Sequence, residues 1–137
     1  MSWKFTSTAP VFIQIIDRIQ NDIISGKLRP GDRLVSVREL AEQAGVNPNT
    51  MQRALLQLEQ NGLIYTKRGS GRFITEDEQN LSQVKAEVIS SRIKEFVSSL
   101  CELGLDNDQI IVLLNKYLKG ETIDGTDFSL PGPGQDL

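Results

Sequence analysis

Histidine is absent from this 137-residue chain, and cysteine occurs once, as Cys101. A disulfide framework needs paired cysteines, and the usual metal sites and nucleophile–base dyads draw on His or Cys. No metal and no cofactor are therefore expected, and an enzyme would need unusual machinery. Long apolar runs are missing too: nothing approaches the ~20 residues that span a bilayer, and Met1-Ser2-Trp3-Lys4-Phe5 lacks the continuous apolar stretch of a secretion signal. The expectation is a cytoplasmic protein with no membrane partner. Cys101 itself is read as a small buried hydrophobe, because Glu102 rather than a positive charge stands beside it to tune a thiolate.

What is present is an ordinary globular composition, 39% hydrophobic and 24% charged. That leaves room for one compact domain and an appendage, but not for a second full ligand-binding domain. The net charge of -3 hides an asymmetry. Residues 1–75 hold ten basic and six acidic side chains, net +4, whereas residues 76–137 hold five and twelve, net -7. The basic half is the candidate for a polyanion partner.

Hydrophobic periodicity divides the basic half into three helices and a hairpin. Phe12, Ile15, Ile16, Ile19, Ile23 and Ile24 mark a first helix, with Thr8 as cap, Pro10 near its first turn and Ser25-Gly26 as its end. Leu28 to Leu34 is a connector, turning at Pro30-Gly31 and long enough for a very short strand. Ser36 followed by Glu39 is a capping box opening a second helix, which stops at Gly45. Asn47 caps a third helix with Pro48 at its first position, Met51, Ala54, Leu55 and Leu58 supply its buried stripe, and Asn61-Gly62 ends it. Two strands, 63–66 and 72–75, then flank the Gly-rich, basic tip Lys67-Arg68-Gly69-Ser70-Gly71.

Two short helices joined by Ala44-Gly45-Val46-Asn47 match a helix-turn-helix, whose second helix offers its N-terminal residues to base edges in the major groove. Those residues are Asn47, Asn49, Thr50, Gln52 and Arg53. Amides and guanidinium groups carry the donor and acceptor pairs that match adenine and guanine edges, while Thr reaches phosphate or a thymine methyl. A basic hairpin directly afterwards makes a wing: Gly69 and Gly71 let the backbone approach the sugar-phosphate wall, and Lys67, Arg68 and Arg72 supply charge.

Pro10-Val11-Phe12-Ile13-Gln14-Ile15, Gly31-Asp32-Arg33-Leu34, Ser36-Val37-Arg38-Glu39-Leu40-Ala41, Val46 to Leu55, Leu58 to Ile64 and Gly69 to Ile74 together resemble the DNA-binding domain of GntR-type transcription regulators. The likeness covers residues 10–75 in unbroken order. Val35 stands where the family usually has Pro, and Gln52 where relatives often have Arg. The resemblance implies DNA contacts from Arg33, Ser36 and Arg38 as well. Arg38 otherwise pairs with Glu42 one turn on, and Arg33 with Asp32. The short C-terminal part resembles the YtrA-like subfamily, whose two C-terminal helices dimerise and whose members, usually repressors, commonly control neighbouring genes for membrane transporters.

The acidic half shows a helical stripe of Val84, Val88, Ile89, Ile93, Phe96, Val97 and Leu100, then a helix over 106–118 with Ile110, Ile111, Leu114 and Tyr117. Val84, Val88, Phe96, Val97, Leu100, Ile110 and Leu114 are more apolar surface than a two-helix appendage hides, so they are the expected homodimer contact. The stretch 120–137, rich in Gly and Pro, is expected to be loose. The fold class is thus mostly α with a small β-hairpin: a winged helix-turn-helix over 1–75, a two-helix dimerisation region over 76–119, and a tail. Expected partners are operator DNA bearing an inverted repeat, a second copy of the chain, and a small-molecule effector if one acts. The competing class is a winged protein-interaction module that never touches DNA. An enzyme ranks third, because Gly69-Ser70-Gly71 is too short for a P-loop and no catalytic pair is evident.

Overall fold

The computed structural model describes residues 3–128, which form two compact units, one up to residue 88 and the other from residue 89 on, divided inside one long helix. The first unit contains helices α1 (Val11–Ile24), α2 (Val37–Ala44) and α3 (Pro48–Gln60), then strands β1 (Ile64–Lys67) and β2 (Gly71–Ile74). Helix α4 (Glu78–Cys101) begins in this unit and ends in the next, followed by α5 (Asn107–Leu118) and a single 3-10 turn, Gly125–Phe128.

Each helix start of the first unit follows from local chemistry, with two departures from expectation. Helix α1 is capped by Pro10, not Thr8. Proline lacks the N–H a cap would have to satisfy and its backbone is preset, so the helix opens directly after it. Thr8 instead shares a 2.7 Å hydroxyl contact with Thr6, and Gln14 reaches back from α1 to the carbonyls of Thr6 and Ala9, both at 2.8 Å. Ser36 accepts from the Glu39 amide at 3.1 Å, but the Glu39 carboxylate meets the Ser36 hydroxyl at 3.5 Å rather than its backbone. Half of the expected capping box is therefore made. Asn47 caps α3 as expected, its Oδ1 accepting from the Asn49 amide at 2.8 Å.

Ile15, Ile19, Met51, Leu55, Leu58, Leu63, Ile64 and Ile74 lie at the centre of one core that joins α1, α2, α3 and the hairpin. Trp3 and Phe5 pack against it, and Trp3 donates its backbone N–H to the Ala44 carbonyl at 3.2 Å, so the N-terminal segment is an anchor. Leu81 and Val84 pack against the same core. Val84, expected at the dimer contact, thus contributes to the first unit.

β1 and β2 pair antiparallel in the register Ile64↔Ile74, Tyr65↔Phe73, Thr66↔Arg72 and Lys67↔Gly71, one residue nearer the tip at the start of β2 than expected. Segment 31–34 forms a third edge through a single bridge, Arg33↔Phe73. Its backbone bonds are Gly31 to Ile74, Ile74 to Asp32 and Leu34 to Arg72, at 2.8–2.9 Å.

The second unit has a different economy. Among its described residues only Ile110 is a buried hydrophobe. Asp106 and Gln109 form a complete capping box at the start of α5, with both bonds at 2.9 Å. Cys101 is exposed, contrary to expectation, because Phe96 and Leu100 form the lined face of α4 and position 101 falls off it. The looseness expected from Gly120 is also corrected as far as Phe128. Lys116 donates to both carboxylate oxygens of Asp127, at 2.8 and 3.0 Å, and fastens the 3-10 turn to α5. The rest of the expected tail, 129–137, lies outside the described residues.

Candidate nucleic-acid interface

The turn between α2 and α3 depends on Gly45. Its φ of +74° lets the chain reverse while its N–H and that of Val46 cap the Ala41 carbonyl, at 2.8 and 3.0 Å. An L side chain there would meet the left-handed penalty. The reversal brings Asn47, Asn49 and Arg53 to exposed positions on the first turns of α3, with Thr50 and Gln52 half-buried between them. Behind them Met51, Ala54 and Leu55 are fully enclosed, so the helix has one face committed to the core and one polar face free.

Arg38, Lys67 and Arg68 are exposed. No ion pair joins Arg38 to Glu42 among the described residues; the salt bridge found there is Lys116–Asp127. The wing is stiffened by Tyr65 stacked on Phe73, ring centres 5.7 Å apart, with the Lys67 ammonium 5.8 Å from the Phe73 ring centre. Thr66 donates a hydrogen bond to the Glu59 carboxylate, joining the wing's first strand to the last turn of α3. Arg72 is half-buried with its Nε enclosed and without a hydrogen-bond partner. It lines, with Arg33, Ser36 and Gly71, a concavity of about 600 Å³.

Two of the arginines expected to touch DNA have intramolecular partners that sequence reasoning did not assign. The Arg53 guanidinium lies over the Phe12 ring, 3.8 Å from its centre, which links α3 to α1. Arg33 donates from Nε to the Ser70 carbonyl at 2.8 Å; Asp32 accepts instead from the Arg29 amide at 2.8 Å. The partners Phe12 and Ser70 are an apolar residue and a backbone carbonyl, neither of which a charge pattern reveals. In the second unit, Phe96, Leu100 and Ile110 line an apolar cavity of about 580 Å³ together with Leu114, Ile123 and Phe128. Val88 and Val97 are half-buried. Among the described residues no cluster of His, Cys, Asp and Glu could hold a metal ion, and no helix is long and apolar enough to cross a membrane.

The model of the bacterial regulatory proteins of the gntR family matches residues 13–74, the span from α1 to β2. The HTH-type transcriptional regulator YhcF of Bacillus subtilis is 36% identical over 120 residues, 88% of this chain and 99% of its own. The HTH-type transcriptional repressor YtrA of the same organism is 34% identical over 105 residues, 76% of this chain and 81% of its own. Among solved structures, a GntR family transcriptional regulator from Listeria monocytogenes superposes with a TM-score of 0.77 at 38% identity, covering 82% of this chain and 98% of that one. A helix-turn-helix on a packed three-helix core, a basic two-stranded wing and these likenesses have one meaning: the chain belongs to the GntR family of winged helix-turn-helix transcription regulators, among its short, YtrA-like members.

Proposed function

We propose that the chain is a cytoplasmic, homodimeric repressor that reads an inverted-repeat operator with α3 and grips the flanking backbone with its wing. The observation that carries this reading is the polar face at the start of α3, where Asn49 and Gln52 stand one turn apart, on the same unit as exposed Arg38 and the basic wing tip. These are the side chains that match base edges and phosphates, which favours DNA over a partner protein. Amide side chains specify; Arg38, Lys67 and Arg68 position. The second copy is inferred from the second unit, where Phe96 and Leu114 remain 43% and 39% exposed around a two-helix arrangement that buries one hydrophobe. Two α-helices with so little enclosed surface need a further layer. Two-fold symmetry then sets the half-sites about one helical turn, roughly 34 Å, apart. The family likeness supports GT and AC cores in the two halves and a neighbouring transporter operon as target.

The test is a fluorescence-anisotropy titration of the region upstream of the protein's own gene against a scrambled duplex at several salt concentrations. Gln52→Ala should cost on the order of 1–3 kcal/mol on the operator and much less on scrambled DNA. Lys67→Ala and Arg68→Ala should weaken both duplexes alike and reduce the salt slope by about one each. Equal losses on both duplexes for Gln52→Ala and Asn49→Ala would overturn the assignment of base reading to α3.

A further inference from the structure

We propose that Arg33 sets the pose of the wing by holding its tip through Nε, and is a positioning residue rather than a phosphate contact. The consequence for DNA affinity rests on the reading above, but the pin itself is a property of the free protein.

A two-stranded hairpin alone is marginal in water, and the supports already described, the third edge and the Thr66–Glu59 bond, reach no further towards the tip than the Thr66–Arg72 pair. The third edge bonds β2 at Ile74 and Arg72, after which the backbone ladder with segment 31–34 ends. Residues 68–71 therefore lie beyond it, closed by the Ser70 amide bonding the Lys67 carbonyl at 2.9 Å. The Arg33 side chain reaches this tip from 37 residues away, and its Nε–H donates to the Ser70 carbonyl at 2.8 Å.

The neighbouring glycine fits the same purpose. Gly71 has a φ of +111°, and a Cβ built on it would stand 3.2 Å from Arg33 Nε and 3.5 Å from one terminal nitrogen. The bare backbone at Gly71 thus serves both the turn and the seat of the guanidinium. A carbonyl needs an N–H aimed at it, not a full positive charge. The bond is made by Nε, the atom nearest the stem, and not by the fork that grips phosphate bidentately.

This geometry separates two roles that an alanine variant would confuse. Glutamine carries its amide nitrogen the same number of bonds from Cα as arginine carries Nε, so Arg33→Gln keeps the donor and loses the charge. Lysine has a methylene at that place and its N–H donors one bond further out, so Arg33→Lys keeps the charge and moves the donor off the position that faces the Ser70 carbonyl. Arg33 is exposed, so neither change threatens the core.

The experiment measures backbone ¹⁵N order parameters of residues 68–71 in the DNA-free full chain for wild type, Arg33→Gln and Arg33→Lys, then anisotropy titrations of the same proteins on operator duplex. Wild type and Arg33→Gln should keep a rigid tip, with S² near 0.85, while Arg33→Lys drops towards 0.6. Operator affinity should follow tip order and not charge: within about twofold of wild type for Gln, and about five- to tenfold weaker for Lys. A rigid tip in the Lys variant with a loosened one in Gln, or equal order in all three, overturns the pin. Ordering of the tip as expected, with no binding by any of the three to the operator duplex, would overturn the DNA reading and leave the pin standing.

Discussion

The two units of this chain treat apolar surface in opposite ways. In the first, fifteen hydrophobic residues form a closed core, and the large hydrophobics left outside it, such as Val11, Ile13, Val35 and Leu56, are each less than half exposed. In the second, one hydrophobe is buried among the described residues, while Leu103, Ile111, Val112, Tyr117 and Leu118 are each more than half exposed. Burial of a large aliphatic side chain is worth ~1.5–3 kcal/mol, so the first unit is stabilised by its own sequence and the second leaves most of that stabilisation unrealised. A protein that separates its surfaces in this way has one part finished by folding and another that folding alone leaves open. In the proposed function the finished part meets DNA and the other meets a second copy.

The sharpest way to break this contrast is to place a charge on the unfinished face. Phe96→Asp should convert a dimer, measured by light scattering at micromolar concentration, to a monomer. Operator affinity should then fall by on the order of 100-fold, because two linked half-site contacts become independent. The melting of the first unit should stay as it was. A dimer that survives the charge would remove the second unit from the interface.

A smaller effect sharpens the same comparison. Leu58 is fully buried and Leu118 is 71% exposed. Leu58→Ala should cost about 2–5 kcal/mol in denaturant unfolding of the first unit, whereas Leu118→Ala should cost under about 0.5 kcal/mol in a monomeric Phe96→Asp background. Similar losses for the two would mean that the second unit already has a core of its own.

The smallest effect concerns the turn fastened to α5. The hydrogen bond from Lys116, and then that from the Asp124 amide, hold the Asp127 carboxyl below its ordinary value; the Thr126 hydroxyl and then its amide do the same for Asp124. The bond to Asp127 in turn raises the Lys116 ammonium. A depressed carboxyl contributes stability that is present above the unfolded value, near 3.9, and is lost as the pH falls through the folded one. A raised ammonium loses its contribution only as the pH climbs through its own elevated value. Hydrogen-exchange protection of the 124–128 amides, corrected for intrinsic rates, should therefore be flat through neutral pH and decline only in strong acid. Lys116→Ala should reduce it at pH 7. Unchanged protection in that variant would show that Ile123 and Phe128 hold the turn by packing alone.

Much of this was legible in the sequence because it rests on short-range chemistry. The Asn47 cap with Pro48 behind it, the Gly45 stop and the two strands around a Gly-rich tip each act within a few residues, and each recurs in the structure. The resemblance to GntR-type regulators rested on those same residues in unbroken order. The errors have a common cause as well. Thr8 is a good cap in isolation, yet Pro10 pre-empted it. Cys101 has a buried residue's character, yet its position on α4 turned it out. Residues 120–128 lack periodicity because a 3-10 turn of four residues is too short to show any, and it is held by a side chain eleven positions away.

By itself the sequence determined the helix ends on either side of the α2–α3 turn, the wing, the basic and acidic halves and the polar face of α3, since spacing and composition act locally. The tertiary structure alone decided which arginines are already engaged. Arg33 and Arg53 look as available as Arg38 along the chain, but a carbonyl 37 residues distant and a ring on another helix take up their guanidinium groups. It also decided where the first core stops, drawing Leu81 and Val84 of α4 into it. Which neighbours a side chain meets depends on the packing of whole elements, and local sequence carries no record of that.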